Sequence, residues 1–410
     1  MLVGRVTVPP TAGLPLCPAD LLPWGDSNLA DALATWLEVP EAQLECSGTS
    51  ALMVALRTLQ RLSPARREVI VPAYTCPLVV IAISQCGLQP RLCDLSPGIL
   101  DMDEHMLRGL CSERTLAIVP THLCGRVADV QMALHFARLA GAYVIEDAAQ
   151  ALGARINGQS VGMQGDVGLF SLAVGKGLTT YEGGVLVARD AAIRSSLHAM
   201  HHRTVGYSLG WELLRSAELL GYAAAYRPSA LDRVYGAPLR KSLARNDWIG
   251  AAGDDFNTVI PQHKLGTWRR RVGVRALKRL STHLHKAQQR AERRVAQLSL
   301  IPGVEVIRDP TPNAQGTWPV ILVRMPDHTS RDALMREHWV SNLGLSLPFV
   351  NVISDYERYA PLLGRDFSDS VMIARNWAQR LVSVSNSEWL TDAQFDRLCG
   401  HISETIAREP

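Results

Sequence analysis

The chain has 410 residues, 47% of them hydrophobic and 20% charged, as expected of a globular protein with one large domain and a smaller one, or two of similar size. A net charge of +3 is too small to drive nucleic-acid binding by itself, and none is expected. Eight scattered cysteines, none in a C-x-x-C pair, argue against zinc ligation and read as reduced thiols of a cytoplasmic protein. Residues 1–22 lack a basic start followed by a sustained apolar run, so no signal peptide is expected. From about Leu44 apolar strands alternate with helices. "SGTSALMVALRTLQRL" shows helical spacing after a small, hydroxyl-rich opening. Residues 69–90 carry no charge, yet Pro72 and Pro77 with Tyr74, Thr75, Ser84 and Gln85 argue against a membrane span. They predict a strand at 69–71, a loop, and a buried helix at 78–85 ended by Gly87. "QPRLCDL", "TLAIVPTH" and "AYVIEDAAQ" follow as strands, with "ADVQMALHFARLAG" as an amphipathic helix ended by Gly141. "VGLFSL" and "GGVLVAR" are two further strands.

This alternation predicts an α/β domain with a mostly parallel sheet. Ligands in such sheets sit at the carboxyl ends of the strands, where Tyr74, His122, Asp147 and Ser171 fall. After Arg203 the pattern changes. Residues 205–256 read as one or two helices and a Pro/Gly-rich connection, and residues 268–298 as one long, strongly basic helix whose only acid is Glu292. That run reads as a solvated face or, more sharply, as a basic wall near an anionic substrate or a membrane surface. The rest reads as a smaller α+β domain.

Three short stretches carry chemistry. In "ECSGTSAL" (residues 45–52) a helix opens on small and hydroxyl residues, and its free N–H groups and positive dipole end suit a phosphate. Gly48 permits close approach, and Thr49 and Ser50 add hydroxyl donors; a routine N-cap has the same letters. In "VIEDAAQALGA" (residues 144–154) a carboxylate stands at a strand end before small residues. It could serve a metal, a base role or a protonated ring nitrogen, or simply cap the next helix, and no His/Asp/Glu cluster supports the metal. In "GDVGLFSLAVGKGLTTYEGG" (residues 165–184) a single lysine, Lys176, lies among small and apolar residues. An ammonium is costly there and a neutral amine useful. A lysine, an acid for a pyridinium nitrogen and a phosphate cradle together are what pyridoxal 5'-phosphate requires.

With these motifs, "EVIVPAYT" and "IVPTHLCGRVADV" in order, the chain resembles the DegT/StrS-type sugar aminotransferases of the fold type I aspartate-aminotransferase superfamily. The resemblance covers residues 44–189 strongly and continues weakly through "FNTVIPQHKLG" and "NWAQRLVSVSNSEWLTDAQF". It implies a large three-layer α/β/α domain over residues 1–265, with an N-terminal arm and a helical insert at about 205–253. The long helix and a small C-terminal α+β domain would occupy 266–410. It implies pyridoxal phosphate attached to Lys176, which also shuttles the substrate proton, with Asp147 on the ring nitrogen and Gln150 at the phenolic edge. Gly48, Thr49, Ser50 and Ser171 would hold the phosphate, and Asn257 would reach the phosphate of the other subunit of a homodimer with shared sites. The reaction implied is transfer of an amino group, with L-glutamate as donor, to a keto group of a nucleotide-linked sugar or related precursor. Rival readings are a non-sugar ketone as acceptor and a cofactor-binding regulator without turnover.

The chain departs from the family pattern at three places. Cys76 stands where an aromatic commonly covers the cofactor face, so either Tyr74 or Cys76 is expected to do so. Asn257 is followed by Thr258 and Val259 rather than completing an N-x-R pattern. The segment 205–253 is long.

Overall fold

The computed structural model describes residues 6–364 and 370–408. In chain order the strands are β1 (Gln43–Glu45), β2 (Glu68–Pro72), β3 (Gln89–Cys93), β4 (Thr115–Ile118), β5 (Tyr143–Asp147), β6 (Arg155–Ile156) and β7 (Gln159–Ser160), followed by β8 (Val167–Ser171) and β9 (Gly184–Val187). Beyond them lie β10 (Glu305–Val306), β11 (Ala314–Gln315), β12 (Val320–Arg324), β13 (Leu345–Ser346) and β14 (Leu381–Ser385). Seven strands form the central sheet in the order β1-β9-β8-β5-β4-β2-β3. Its middle is parallel, while β9 runs antiparallel to both neighbours. This is the expected α/β architecture. β2 and β8 are buried at every position, which explains their near-continuous apolar letters. One apolar layer packs Leu52, Leu56 and Ile83 against one face, and another packs Leu33, Leu152 and Leu280 with Phe170 against the other.

The uncharged stretch 69–90 becomes strand β2, a loop and the helix Pro77–Gln85, whose chain reverses at Gly87 with φ +70°. No helix among the described residues is long and apolar enough to cross a membrane. Following residue 300, β10-β12-β14-β13 form a four-stranded antiparallel sheet. It is covered by the helices His328–His338 and Asp392–Arg408, with Trp339 and Phe395 in the core.

Two expectations change. The insert is more helical than its Pro/Gly content suggests. Leu209–Ala225 is a 17-residue helix, and Pro228–Leu231, Ala237–Leu243 and Trp248–Ala252 are short ones. Proline stands in the first turn of two of these, where its missing N–H costs nothing. Second, the basic helix Thr267–Leu298 is neither a mainly solvated face nor a wall at the candidate site. Arg269 is fully buried and paired to Glu212 of the insert at 2.7 Å. Arg294 is spent on the carbonyls of Ser385, Ser387 and Leu390. Arg271, Arg275 and Arg279 reach the carbonyls of Pro23, Leu22 and Pro15. The charge run clamps the N-terminal arm, because guanidinium groups can satisfy carbonyls that no strand or helix pairs. Upstream, the arm joins both sheets: Ala12 N–H donates to Pro319 O (2.7 Å) and Leu14 N–H to Gly177 O (3.1 Å).

Candidate active site

A cavity of about 580 Å3 opens at the carboxyl ends of the central strands, where the topology leaves room between diverging connections. Five connections supply its floor. Ser47, Gly48 and Thr49 follow β1, Thr75 and Cys76 follow β2, and Thr121 and His122 follow β4. Asp147 and Gln150 come from the end of β5, Ser171 ends β8, and Lys176 lies in the β8–β9 loop. The outer wall is built by residues 252–261 with Pro348 and Phe349.

Lys176 is held by its own loop. Its N–H donates to Ala173 O (3.2 Å), Gly175 adopts φ +78°, and Thr180 N–H returns to Leu172 O (3.0 Å). Burial drives the Lys176 amine down from its ordinary value, against the opposing pull of Cys76, Cys124 and Asp147. The Asp147 carboxyl moves the other way. Burial raises it, against the N–H of Ala149 (3.0 Å), Lys176 and His122. A buried acid with one backbone donor is under-compensated, and a cationic partner would relieve it. Beneath it lies a dyad that sequence reasoning missed. His122 and Glu146 are both fully buried, with Nε2 and Oε2 3.1 Å apart. Since Nδ1 of His122 accepts the Ala128 N–H (3.0 Å), the proton sits on Nε2 and is donated to Glu146. Burial raises the Glu146 carboxyl, but hydrogen bonds from His122 and the N–H groups of Gly165 and Gly162 outweigh it and hold it low. The alternation of a strand sends Glu146 and Asp147 to opposite faces, which is the signal that separates their jobs.

The helix Gly48–Leu62 points its N-terminus into the cavity, capped by Ser47, whose Oγ accepts the Ser50 N–H at 3.0 Å. A Cβ on residue 48 would stand 3.0 Å from that of Ser171, so glycine brings the helix end against the strand end. Gly48, Thr49 and Ser171 thus share one anion-suited corner with Ser47. Ser50, also in the first turn of this helix, is fully buried beside Cys46, set back from the residues that line the cavity.

Of the two candidates for the cofactor face, Tyr74 is placed in the core. Its hydroxyl donates to Phe349 O (3.0 Å) and accepts from Phe349 N–H (3.2 Å), and its ring packs edge-on to that of Phe349 at 5.7 Å. A buried phenol needs polar partners, and the Phe349 backbone provides both, so Tyr74 belongs to the core and is not a cavity residue. Cys76 lines the cavity instead. Burial pushes its thiol up to about 12, so it presents a neutral sulfur. Gln150 also lines the cavity, its Oε1 accepting the Cys124 N–H at 2.6 Å. Asn257 lines the cavity of its own chain, where the resemblance sends it to a neighbour's. Nor does it cap a helix: its Oδ1 accepts the Val259 N–H (3.0 Å) in an open turn.

Other cavity residues were not singled out from the sequence. Thr75 and Thr121 carry buried hydroxyls without a partner among the described residues. Glu182 is bound by Arg215 of the insert (2.6 Å), whose guanidinium also lies over Trp211, and Trp211 stacks on His263. A carboxylate in a Gly-Gly-flanked turn was the only sequence signal for Glu182.

Residues 26–223 match the model of the DegT/DnrJ/EryC1/StrS aminotransferase family. It is similar to a UDP-N-acetyl-3-dehydro-alpha-D-glucosamine 3-aminotransferase of Acidithiobacillus ferrooxidans, with 38% identity over 40% of this chain and 46% of that one. It is also similar to an L-glutamine:2-deoxy-scyllo-inosose aminotransferase of Streptomyces fradiae, with 33% identity over 48% and 47%. The chain thus spans about half the length of the curated relatives it matches. In fold it resembles a putative sugar aminotransferase from Streptococcus pneumoniae in its PMP form, with a TM-score of 0.74, 16% identity and coverage of 98% of both chains.

Proposed function

We propose that the protein is a pyridoxal phosphate-dependent aminotransferase that transfers an amino group, from L-glutamate, to a keto group of a sugar-type acceptor. The observation that carries this reading is one cavity floor. It joins a lysine with a lowered amine pKa, a buried carboxyl with a raised one and a helix N-terminus. The matched family and the PMP form of the neighbouring structure support the cofactor. When bound, the cofactor supplies a ring that accepts the electrons of a substrate C–H bond. The residues fit it. The under-compensated Asp147 would hold a proton on the ring nitrogen. Gly48, Thr49 and Ser171 would seat the phosphate against the helix dipole, and the Ser47 cap keeps that helix end in place. Gln150, its oxygen engaged by Cys124, has its amide N–H groups left for the phenolic edge. Cys76 offers the ring face a neutral, polarizable sulfur.

Lys176 has two jobs in this reading. Its neutral amine is the attachment point, and after release it takes the proton from the substrate carbon and returns it on the cofactor side. The unpartnered hydroxyls of Thr75 and Thr121 can donate to the donor's carboxylate. A homodimer belongs to the same proposal, with exposed Leu213, Leu214 and Leu220 of the insert helix as apolar surface for a second copy. The cytoplasm is its proposed compartment, in keeping with eight free thiols.

The test is a single-turnover donor screen. Purified protein loaded with pyridoxal phosphate is mixed with amino acids, and the cofactor spectrum is followed for conversion to the amino form. Conversion by L-glutamate supports the reading. A stably bound cofactor that no amino acid converts would favour a regulator without turnover.

A further inference from the structure

We propose that Arg269, locked by Glu212 of the insert, is a positioning residue for Lys176: it fixes the return limb of the lysine loop and so sets where the amine stands. This rests on the aminotransferase reading and adds to that site a pair outside the cavity lining. The lysine loop runs from Leu172 to Gly183 and is closed by its own backbone. Leu172 N–H donates to Gly183 O (2.7 Å), Val174 N–H to Tyr181 O (3.1 Å) and Thr180 N–H to Leu172 O (3.0 Å). Lys176 lies two residues beyond Val174 on the outgoing limb. Its place therefore depends on the limb 179–183, to which the outgoing limb is hydrogen-bonded.

That return limb is held in an unfavourable shape. Tyr181 adopts φ +68°, a left-handed conformation that a bulky L residue takes only when its surroundings impose it. Arg269 supplies the constraint. Its Nη1 donates to Glu182 O (2.8 Å) and Thr180 O (3.4 Å), one on each side of Tyr181. The other edge of the guanidinium is taken by Glu212. Nη2 donates to Oε2 at 2.7 Å, and Nε to both carboxylate oxygens at 3.1 Å. Glu212 is held in turn, its Oε2 accepting the Gly266 N–H at 3.0 Å just before the long helix begins. A Cβ on residue 266 would stand 2.0 Å from the Glu212 carboxyl carbon, so glycine lets the two segments close on each other.

Arg269 is fully buried and Glu212 nearly so. A buried ion pair adds little stability compared with apolar side chains of similar size, so the use of this one lies in direction. The carboxylate orients the planar fork, and the fork aims one nitrogen at two carbonyls of the loop. Arg215, on the same helix as Glu212, adds a bond to the Glu182 side chain (2.6 Å). The insert thus grips the return limb twice, through its backbone and through a side chain. Both members of the Arg269–Glu212 pair are buried within one chain, so a second copy neither completes nor replaces it.

Attachment and binding are read separately, on the assembled protein. The double substitution Glu212→Leu with Arg269→Met removes the pair and keeps most of its volume, an exchange that buried ion pairs commonly tolerate without loss of stability. Attachment of pyridoxal phosphate is followed by absorbance and trapped with borohydride on the Lys176 peptide. Deoxypyridoxine phosphate, which carries a methyl group in place of the aldehyde, reports the phosphate and ring seat alone. Attachment should slow by about tenfold or more, because a displaced amine no longer meets the aldehyde. Affinity for deoxypyridoxine phosphate should stay within about threefold, with the thermal midpoint preserved. Unchanged attachment overturns the role. So does a joint loss of attachment and probe affinity, which would make the pair a brace for the whole site. Should the double variant fail to fold, Glu212→Gln decides by the same two readings. It keeps an acceptor for the Gly266 N–H and weakens the grip on Arg269, so attachment should slow at least about threefold; an unaltered rate overturns the role. No attachment to Lys176 in the unsubstituted protein removes the aminotransferase reading, and this role with it.

Discussion

The two halves of the cavity differ in origin and in chemistry. The floor lies within residues 26–223, the part that matches the family model, and is built at the ends of buried strands. The outer wall, residues 252–261 with Pro348 and Phe349, lies outside the match, in connections without strand or long helix, and is mainly apolar. Reaction machinery sits on rigid elements and partner choice on loops, so likeness to relatives over the floor speaks to the reaction and not to the acceptor.

The largest effect that could break this division is expected at Lys176. Lys176→Ala should lower turnover by more than about a thousandfold, the scale for removing a nucleophile, with an unchanged circular dichroism spectrum. Borohydride treatment of the intact protein should leave the cofactor on the peptide containing Lys176; recovery on another lysine sinks the assignment. Cofactor attachment should also speed up as pH rises and level off at a midpoint below 10.5, because a lowered amine pKa makes the neutral form available earlier. Stopped-flow uptake over a pH series reads this directly.

Asp147→Asn comes next, with about a hundredfold loss in the half-reaction, since a neutral amide does not stabilise a protonated ring nitrogen. The same change removes a group that supports the Lys176 ammonium, so the uptake midpoint should shift further down. A midpoint that stays put would separate the two residues. Asn257→Ala is a smaller change, about three- to tenfold in cofactor affinity for one hydrogen bond. Mixing it with Lys176→Ala sharpens the halves: with Asn257 serving its own chain's cavity, the Lys176-bearing site of the exchanged heterodimer keeps the weakened cofactor affinity. Recovery would instead return Asn257 to the neighbour's site. The smallest effect at the floor is expected for Tyr74→Phe. It should cost about 1 kcal/mol of stability through the lost bond to Phe349 and leave cofactor affinity unchanged in a fluorescence titration.

The same division governs what the sequence discloses. Strands β2, β4, β5, β8 and β9 were readable because buried strands are apolar runs bounded by turn residues. The lysine, the aspartate and the helix N-terminus were readable because each is an odd letter in such a run. The choice between Tyr74 and Cys76 stayed open because a Pro-flanked loop carries no periodicity to say which of three consecutive residues faces inward. That Ser50 is set back from the cavity while Thr49 lines it follows from about 100° of rotation along the helix, which chain letters alone do not resolve when Ser47, Thr49 and Ser50 are all hydroxyls. The His122–Glu146 pair was invisible because His122 follows β4 while Glu146 lies on β5, and the two meet only in the folded chain. The role of the basic helix depended on a partner some 250 residues away, and charge runs by themselves point to solvent.

That distance has a consequence for the growing chain. The arm at residues 12–25 leaves the ribosome early, but the arginines that receive it, at 271, 275 and 279, are made about 250 residues later. At roughly 5–20 residues per second, the arm waits on the order of ten to fifty seconds without its clamp. Its hydrogen bond to Gly177 ties the lysine loop to the arm that the long helix later fastens. A nascent chain stalled before residue 267 would therefore hold a formed central sheet and a loose reactive loop, and would take up pyridoxal phosphate poorly until the long helix emerged.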